Sequence, residues 1–105
     1  MVFSFIANIS EDICTDIVIV TKVWGSEISW EFGTCSSTQE YNSNDIHIEQ
    51  CCQPEGTYEL VCKDSYGDGW HGGYIEVGGN EYCSTFMSGS EERHAVAMPG
   101  NLRFA

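Results

Sequence analysis

Cys62-Lys63-Asp64-Ser65-Tyr66-Gly67-Asp68-Gly69-Trp70-His71-Gly72-Gly73 is the stretch on which the reading of this chain turns. Glycine takes positive φ without steric cost, so Gly67, Gly69, Gly72 and Gly73 imply a backbone folded sharply back on itself. Such a path turns carbonyls and carboxylates inward. Asp64 and Asp68 then face a common centre, with Ser65 and main-chain oxygens nearby, an oxygen-rich shell of the kind a hard cation such as Ca²⁺ prefers. The same residues also fit an ordinary tight turn, because Asp-Gly and Gly-Gly are common hairpin dipeptides and Asp often bonds its own backbone. The EF-hand register is not met. Asp64, Asp68 and Gly69 fit loop positions one, five and six, but Tyr66 stands at three and Ile75 in the place of the final Glu.

The segments on either side of this loop read as strands. Before it, Pro54-Glu55-Gly56 turns into Thr57-Tyr58-Glu59-Leu60-Val61-Cys62, where Tyr58 and Leu60 alternate with outward groups. After it, residues 73–77 form a strand, Gly78-Gly79-Asn80 signals a hairpin, and residues 81–87 return. Further upstream, Glu27-Ile28-Ser29-Trp30-Glu31-Phe32 places Ile28, Trp30 and Phe32 on one face. Residues 13–24 carry a short apolar run rich in β-branched side chains, as in a strand buried on both faces. Strands are also expected at residues 2–9, from 46–48 up to the paired cysteines, and at 94–98 and 102–104, with a turn at 88–92. The polar run at residues 34–45 is the place expected for an insertion or a mobile segment. No apolar pattern recurs at helical spacing over three turns. About eight short strands with regular turn signals therefore predict an all-β fold, a single disulfide-stabilised β-sandwich with jelly-roll-like connections spanning residues 1–105.

Six cysteines, Cys14, Cys35, Cys51, Cys52, Cys62 and Cys83, form no C-x-x-C pair. Adjacent Cys51 and Cys52 are poorly placed to share a zinc ion or to bond each other, so a disulfide framework is the better reading, with the pairing open among fifteen arrangements. Three bridges place the protein outside the cytosol. Asn8-Ile9-Ser10 is a glycosylation sequon, in keeping with secretion. The first residues lack a basic n-region, so the chain reads as mature, and no run reaches the length of a membrane span.

Sixteen acidic against four basic residues give a formal charge of −12. That balance argues against nucleic acid and anionic membranes, and favours cations or a basic protein partner. The acids are scattered, which also fits a simple self-repelling surface. A catalytic reading is the weakest. The cysteines are expected to be oxidised, and His47, His71 and His94 read as surface or half-buried side chains with no partner named by their context.

Two separated pieces, Trp24-Gly25-Ser26-Glu27-Ile28-Ser29-Trp30-Glu31-Phe32 and Gly56-Thr57-Tyr58-Glu59-Leu60 leading to Asp64-Ser65-Tyr66-Gly67-Asp68-Gly69-Trp70, resemble the paired GSEISWE and DSYGDGW motifs of small secreted β-sandwich modules. The likeness spans roughly residues 17–78, and the pair is more specific than either motif alone. Trp24 stands where that pattern usually has Tyr, and His71 where an asparagine often follows the Trp. The resemblance brings Glu27 to the loop, so that Glu27, Asp64, Ser65 and Asp68 form a candidate calcium shell. The alternative is that Glu27 bonds the loop N–H groups directly.

The chain is also similar, more loosely, to glassin-type modules of the axial filament of sponge silica spicules. That similarity implies a structural, biomineral-associated role beside silicatein. Silica is negative at neutral pH, so a chain this acidic is expected to act as a spacer or lattice contact rather than to template silica. The rival expectation is a calcium-dependent, lectin-like carbohydrate-binding module, with Tyr66, Trp70 and His71 lining the sugar site. Core packing is the ordinary reading of Trp24, Trp30 and Trp70, most clearly for Trp30 inside its alternating strand.

Overall fold

The computed structural model describes residues 12–98. The strands expected at residues 2–9 and 102–104, and the sequon at Asn8, lie outside the described residues. Among the described residues eight strands form: β1 (Asp12–Val20), β2 (Ile28–Phe32), β3 (Cys35–Ser36), β4 (Ile46–Pro54), β5 (Gly56–Asp64), β6 (Tyr74–Val77), β7 (Asn80–Tyr82) and β8 (Glu91–Met98). Among the described residues the one helical piece is a 3-10 turn at Gly25–Glu27, and no helix is long and apolar enough to cross a membrane.

The strands make two four-stranded sheets, ordered β4-β1-β6-β7 and β3-β2-β5-β8, with every pairing antiparallel. The chain passes repeatedly from one sheet to the other, as expected of a sandwich with jelly-roll-like connections. Period-two alternation sets the inner faces. Ile13, Ile17, Ile19, Ile75 and Val77 from the first sheet meet Ile28, Trp30, Phe32, Leu60, Val96 and Met98 from the second. Burying each large apolar side chain stabilises the sandwich by about 1.5–3 kcal/mol before chain entropy is counted. Trp70 and Phe86, from two connections, join this core with ring centroids 6.2 Å apart.

The disulfides follow from the same alternation. Successive side chains on a strand point to opposite faces, so adjacent Cys51 and Cys52 on β4 cannot serve the same neighbour. Cys51 turns inward and bonds Cys35, joining the two sheets, while Cys52 turns outward and bonds Cys14, its direct opposite on β1. Cys62 on β5 bonds Cys83 just beyond β7, a second covalent tie between sheets. All six cysteines are accounted for.

Four expectations are corrected. The run at residues 13–24 is not a strand buried on both faces. β1 stops at Val20, and Val18 and Val20 are only half-buried because none of the described residues forms a layer over the outside of the first sheet. The polar segment at residues 34–45 is pinned rather than loose. Buried Tyr41 accepts a hydrogen bond from Trp30 Nε1–H at 2.8 Å and donates its own to Glu49, while Thr21 Oγ1 donates to the Asn42 carbonyl at 2.6 Å. The return strand expected over 81–87 ends at Tyr82, because Cys83 enters the left-handed region with φ 67° to reach Cys62. β8 begins at Glu91, inside the expected turn at 88–92, because pairing with β5 runs as far as Lys63 opposite Glu91.

Candidate functional site

Three passages between the sheets gather at one end of the sandwich. Residues 21–27 lead from β1 to β2, residues 65–73 from β5 to β6, and residues 83–90 from β7 to β8. The glycine-rich passage is fastened to the third by main-chain bonds: Asp64 N–H donates to Ser90 O at 2.8 Å, Trp70 N–H to Phe86 O at 2.8 Å, and Gly89 N–H to Gly67 O at 3.0 Å. Its tie to the first is Ser65 N–H donating to the Glu27 carbonyl at 3.0 Å. Gly67, Gly69 and Gly72 take positive φ as expected, but Gly73 does not, and His71 enters the left-handed region in its stead. Gly69 is required twice over. Its φ is +82°, and a Cβ there would stand 2.4 Å from the Phe86 carbonyl oxygen.

This folding brings Glu27, Asp64 and Asp68 together, each offering a carboxylate oxygen within 4.8 Å of the others. Asp64 is 3% exposed. Its Oδ2 accepts the N–H groups of Asp68 at 2.6 Å and Gly69 at 3.0 Å, which fixes the carboxylate plane. Its Oδ1 is buried and receives no donor, and neither does Oε1 of Glu27 nor Oδ1 of Asp68. The alternative in which Glu27 caps the loop N–H groups is not what forms: Asp64 takes those bonds. Asp68 Oδ2 lies 3.1 Å from His71 Nε2.

The electrostatics follow from this crowding. Burial, then the charges of Asp64 and Asp68, hold Glu27 above its ordinary pKa, with His71 pulling weakly the other way. Burial also pushes Asp64 upward, but the Asp68 N–H on its Oδ2 and the closeness of the Asp68 side chain, the Tyr66 main chain and Glu27 outweigh it and leave Asp64 below its ordinary value. Among the described residues no Lys or Arg ion pair reaches the group. Lys63 pairs with Glu31 at 2.7 Å, and Arg93 with Glu59 and Glu91 at 2.6 Å each. The other cluster of ligand-type side chains, Cys83, Glu92 and His94, offers no thiolate because Cys83 is in a disulfide.

The remaining expected site residues separate. Ser65 is exposed and acts through its main chain. Tyr66 is 77% exposed, and His71 is half-buried. Trp70 is a correction to the sugar-site expectation. It is fully buried with its Nε1–H donating to Lys63 O at 2.8 Å, so its face is spent on the core and is closed to a pyranose ring. Trp24, expected in the core, is 58% exposed in a left-handed conformation.

A second feature was not foreseen. On the outer face of the first sheet, Ile46 and Ile48 are 62% and 69% exposed. Val20 lies opposite both Ile46 and Tyr74, and Val18 opposite Ile48, which makes a contiguous apolar patch. Asp16 and the Glu76–Glu81 pair lie on the same face. An open groove of about 380 Å³ runs off its end between Val20, Thr21, Lys22, Asn44, Asp45 and Ile46. The signal was present in parity: Ile46 and Ile48 have the opposite parity to Cys51, so a Cys51 pointing inward sends both isoleucines outward.

Fold and site define a three-disulfide, all-β sandwich with a carboxylate cluster at one end and, among the described residues, an uncovered apolar patch on one sheet face. A scan against protein-family models, a search of curated proteins and a search of solved structures each found no match.

Proposed function

We propose that this protein is a non-catalytic, secreted structural and interaction module whose working surface is the outer face of the β4-β1-β6-β7 sheet. One observation carries the reading: Ile46, Ile48, Val18, Val20 and Tyr74 form an apolar patch on an otherwise strongly acidic chain. Exposed patches of this kind mark interaction sites. With a formal charge of −12, two copies repel each other, so the complementary occupant is a different protein with a basic rim around an apolar anchor. Three disulfides in so short a chain suit an oxidising, extracellular setting. The similarity to axial-filament modules makes silicatein the first partner to try, in a lattice where this domain is the acidic spacer.

The test is co-sedimentation with silicatein and with basic extracellular matrix proteins at low and physiological salt. Binding is expected to weaken with salt and to fall tenfold or more in Ile48→Lys, with the circular dichroism spectrum unchanged. A protein that stays monomeric and binds none of these partners overturns the reading. A calcium-dependent carbohydrate-binding role is the second reading, supported by Tyr66, which is 77% exposed in the same loop as Asp64 and Asp68. Glycan-array binding lost in Tyr66→Ala would favour it over the first.

A further inference from the structure

We infer that Glu27, Asp64 and Asp68 bind one hard divalent cation, Ca²⁺, which clamps the passages between the two sheets. Acidic residues gather on many protein surfaces without binding an ion; here the evidence is the state of their oxygens. Three carboxylate oxygens, one from each residue, are shut off from solvent and accept no hydrogen bond. A buried acceptor without a donor is costly, and a buried anion without a counter-charge is more so. Asp64 is the strongest witness. It is almost wholly buried, two main-chain N–H groups lock one of its oxygens, and the other is left without a partner in the shared space with Glu27 and Asp68.

The donor set selects the ion. Three carboxylate oxygens gathered within 4.8 Å of one another can share one hard cation. Three carboxylates in one site suit the flexible, oxygen-rich shell of Ca²⁺ better than Mg²⁺, which keeps most of its waters and takes fewer carboxylates. An all-carboxylate donor set is likewise that of a hard cation rather than of zinc or copper. Water and main-chain oxygens complete such a shell.

The consequence is mechanical. Glu27 ends the passage from β1, and Asp68 lies in the passage to β6, so one ion joins two crossings that otherwise meet through the single bond from Ser65 N–H to the Glu27 carbonyl. The inference is independent of which partner the sheet face binds.

The test uses the whole chain, stripped with chelator. Adding Ca²⁺ to a hundredfold excess over its dissociation constant is expected to raise Tm by about 10 °C or more. Tb³⁺, which substitutes for Ca²⁺, is expected to luminesce on tryptophan excitation and to be displaced by Ca²⁺. Glu27→Gln keeps every main-chain bond of the loop, so it is expected to fold without metal and to lose both responses. Equal stabilisation by Mg²⁺ at the same concentration overturns the calcium assignment. Absence of any Tm shift and of Tb³⁺ luminescence in the folded wild-type protein overturns the site altogether, leaving a proton shared between Glu27 and Asp64 as the neutralising charge.

Discussion

Tyr41 shows how far one side chain reaches in this protein. Its hydroxyl joins Trp30 on β2 to Glu49 on β4 across the core, and it holds the polar segment that precedes β4. Burial, together with the bond to the Glu49 carboxylate, raises its pKa well above the ordinary tyrosine value, although the Trp30 N–H opposes the shift. The unfolded chain loses this proton near pH 10, while the folded chain keeps it. The contribution is therefore fully present below pH 10 and is lost as pH rises toward the folded value. In an alkaline spectrophotometric titration, one of the five tyrosines is expected to ionise only on unfolding. Tyr41→Phe leaves the buried Trp30 N–H without an acceptor and should cost about 1–3 kcal/mol by urea titration. At Gly69, alanine must take a left-handed φ against the Phe86 carbonyl, so Gly69→Ala should lower the unfolding free energy by about 2 kcal/mol or more, read as a lower urea midpoint with an unchanged slope.

At the scale of elements, β4 is the decisive strand. It is an edge strand nine residues long, and its two faces do different work. The inner side carries Cys51 to the opposite sheet, while the outer side carries Ile46, Ile48 and the exposed sulfur of Cys52. Exposure predicts the order of reduction. Mild reductant followed by alkylation and mass spectrometry should mark Cys14 and Cys52 first, and Cys35–Cys51 and Cys62–Cys83 only under denaturing conditions. Replacing Cys35 and Cys51 by serine opens a bridge with a sequence separation of 16, and should cost about 3 kcal/mol. The strands themselves were largely legible, since Ile28, Trp30 and Phe32 alternate cleanly and the turns around them are spelled in Gly, Pro and Asn. The anchoring of residues 34–45 was not. A lone Tyr41 among polar residues gives no periodic signal, and its partners Trp30 and Glu49 come from other strands.

At the scale of the whole molecule, charge and cross-linking oppose one another. Sixteen acidic against four basic residues drive the folded shape apart, and three disulfides, two of them between sheets, hold it together. In chelated protein, sodium chloride from low to physiological concentration should therefore raise Tm by a few degrees through screening. A flat response would place the acids too far apart to matter. What the linear order of residues settled unaided was the all-β class, the oxidised cysteines and the loop that turns on glycine, because alternation, parity and positive φ are local properties. Bringing Glu27 to Asp64 and Asp68, pairing the six cysteines, burying Trp70 and leaving the face of Ile46 and Ile48 bare were decided by the tertiary structure. Each of these depends on which strands become neighbours and on whether a second layer covers them, and neither is encoded in any one segment.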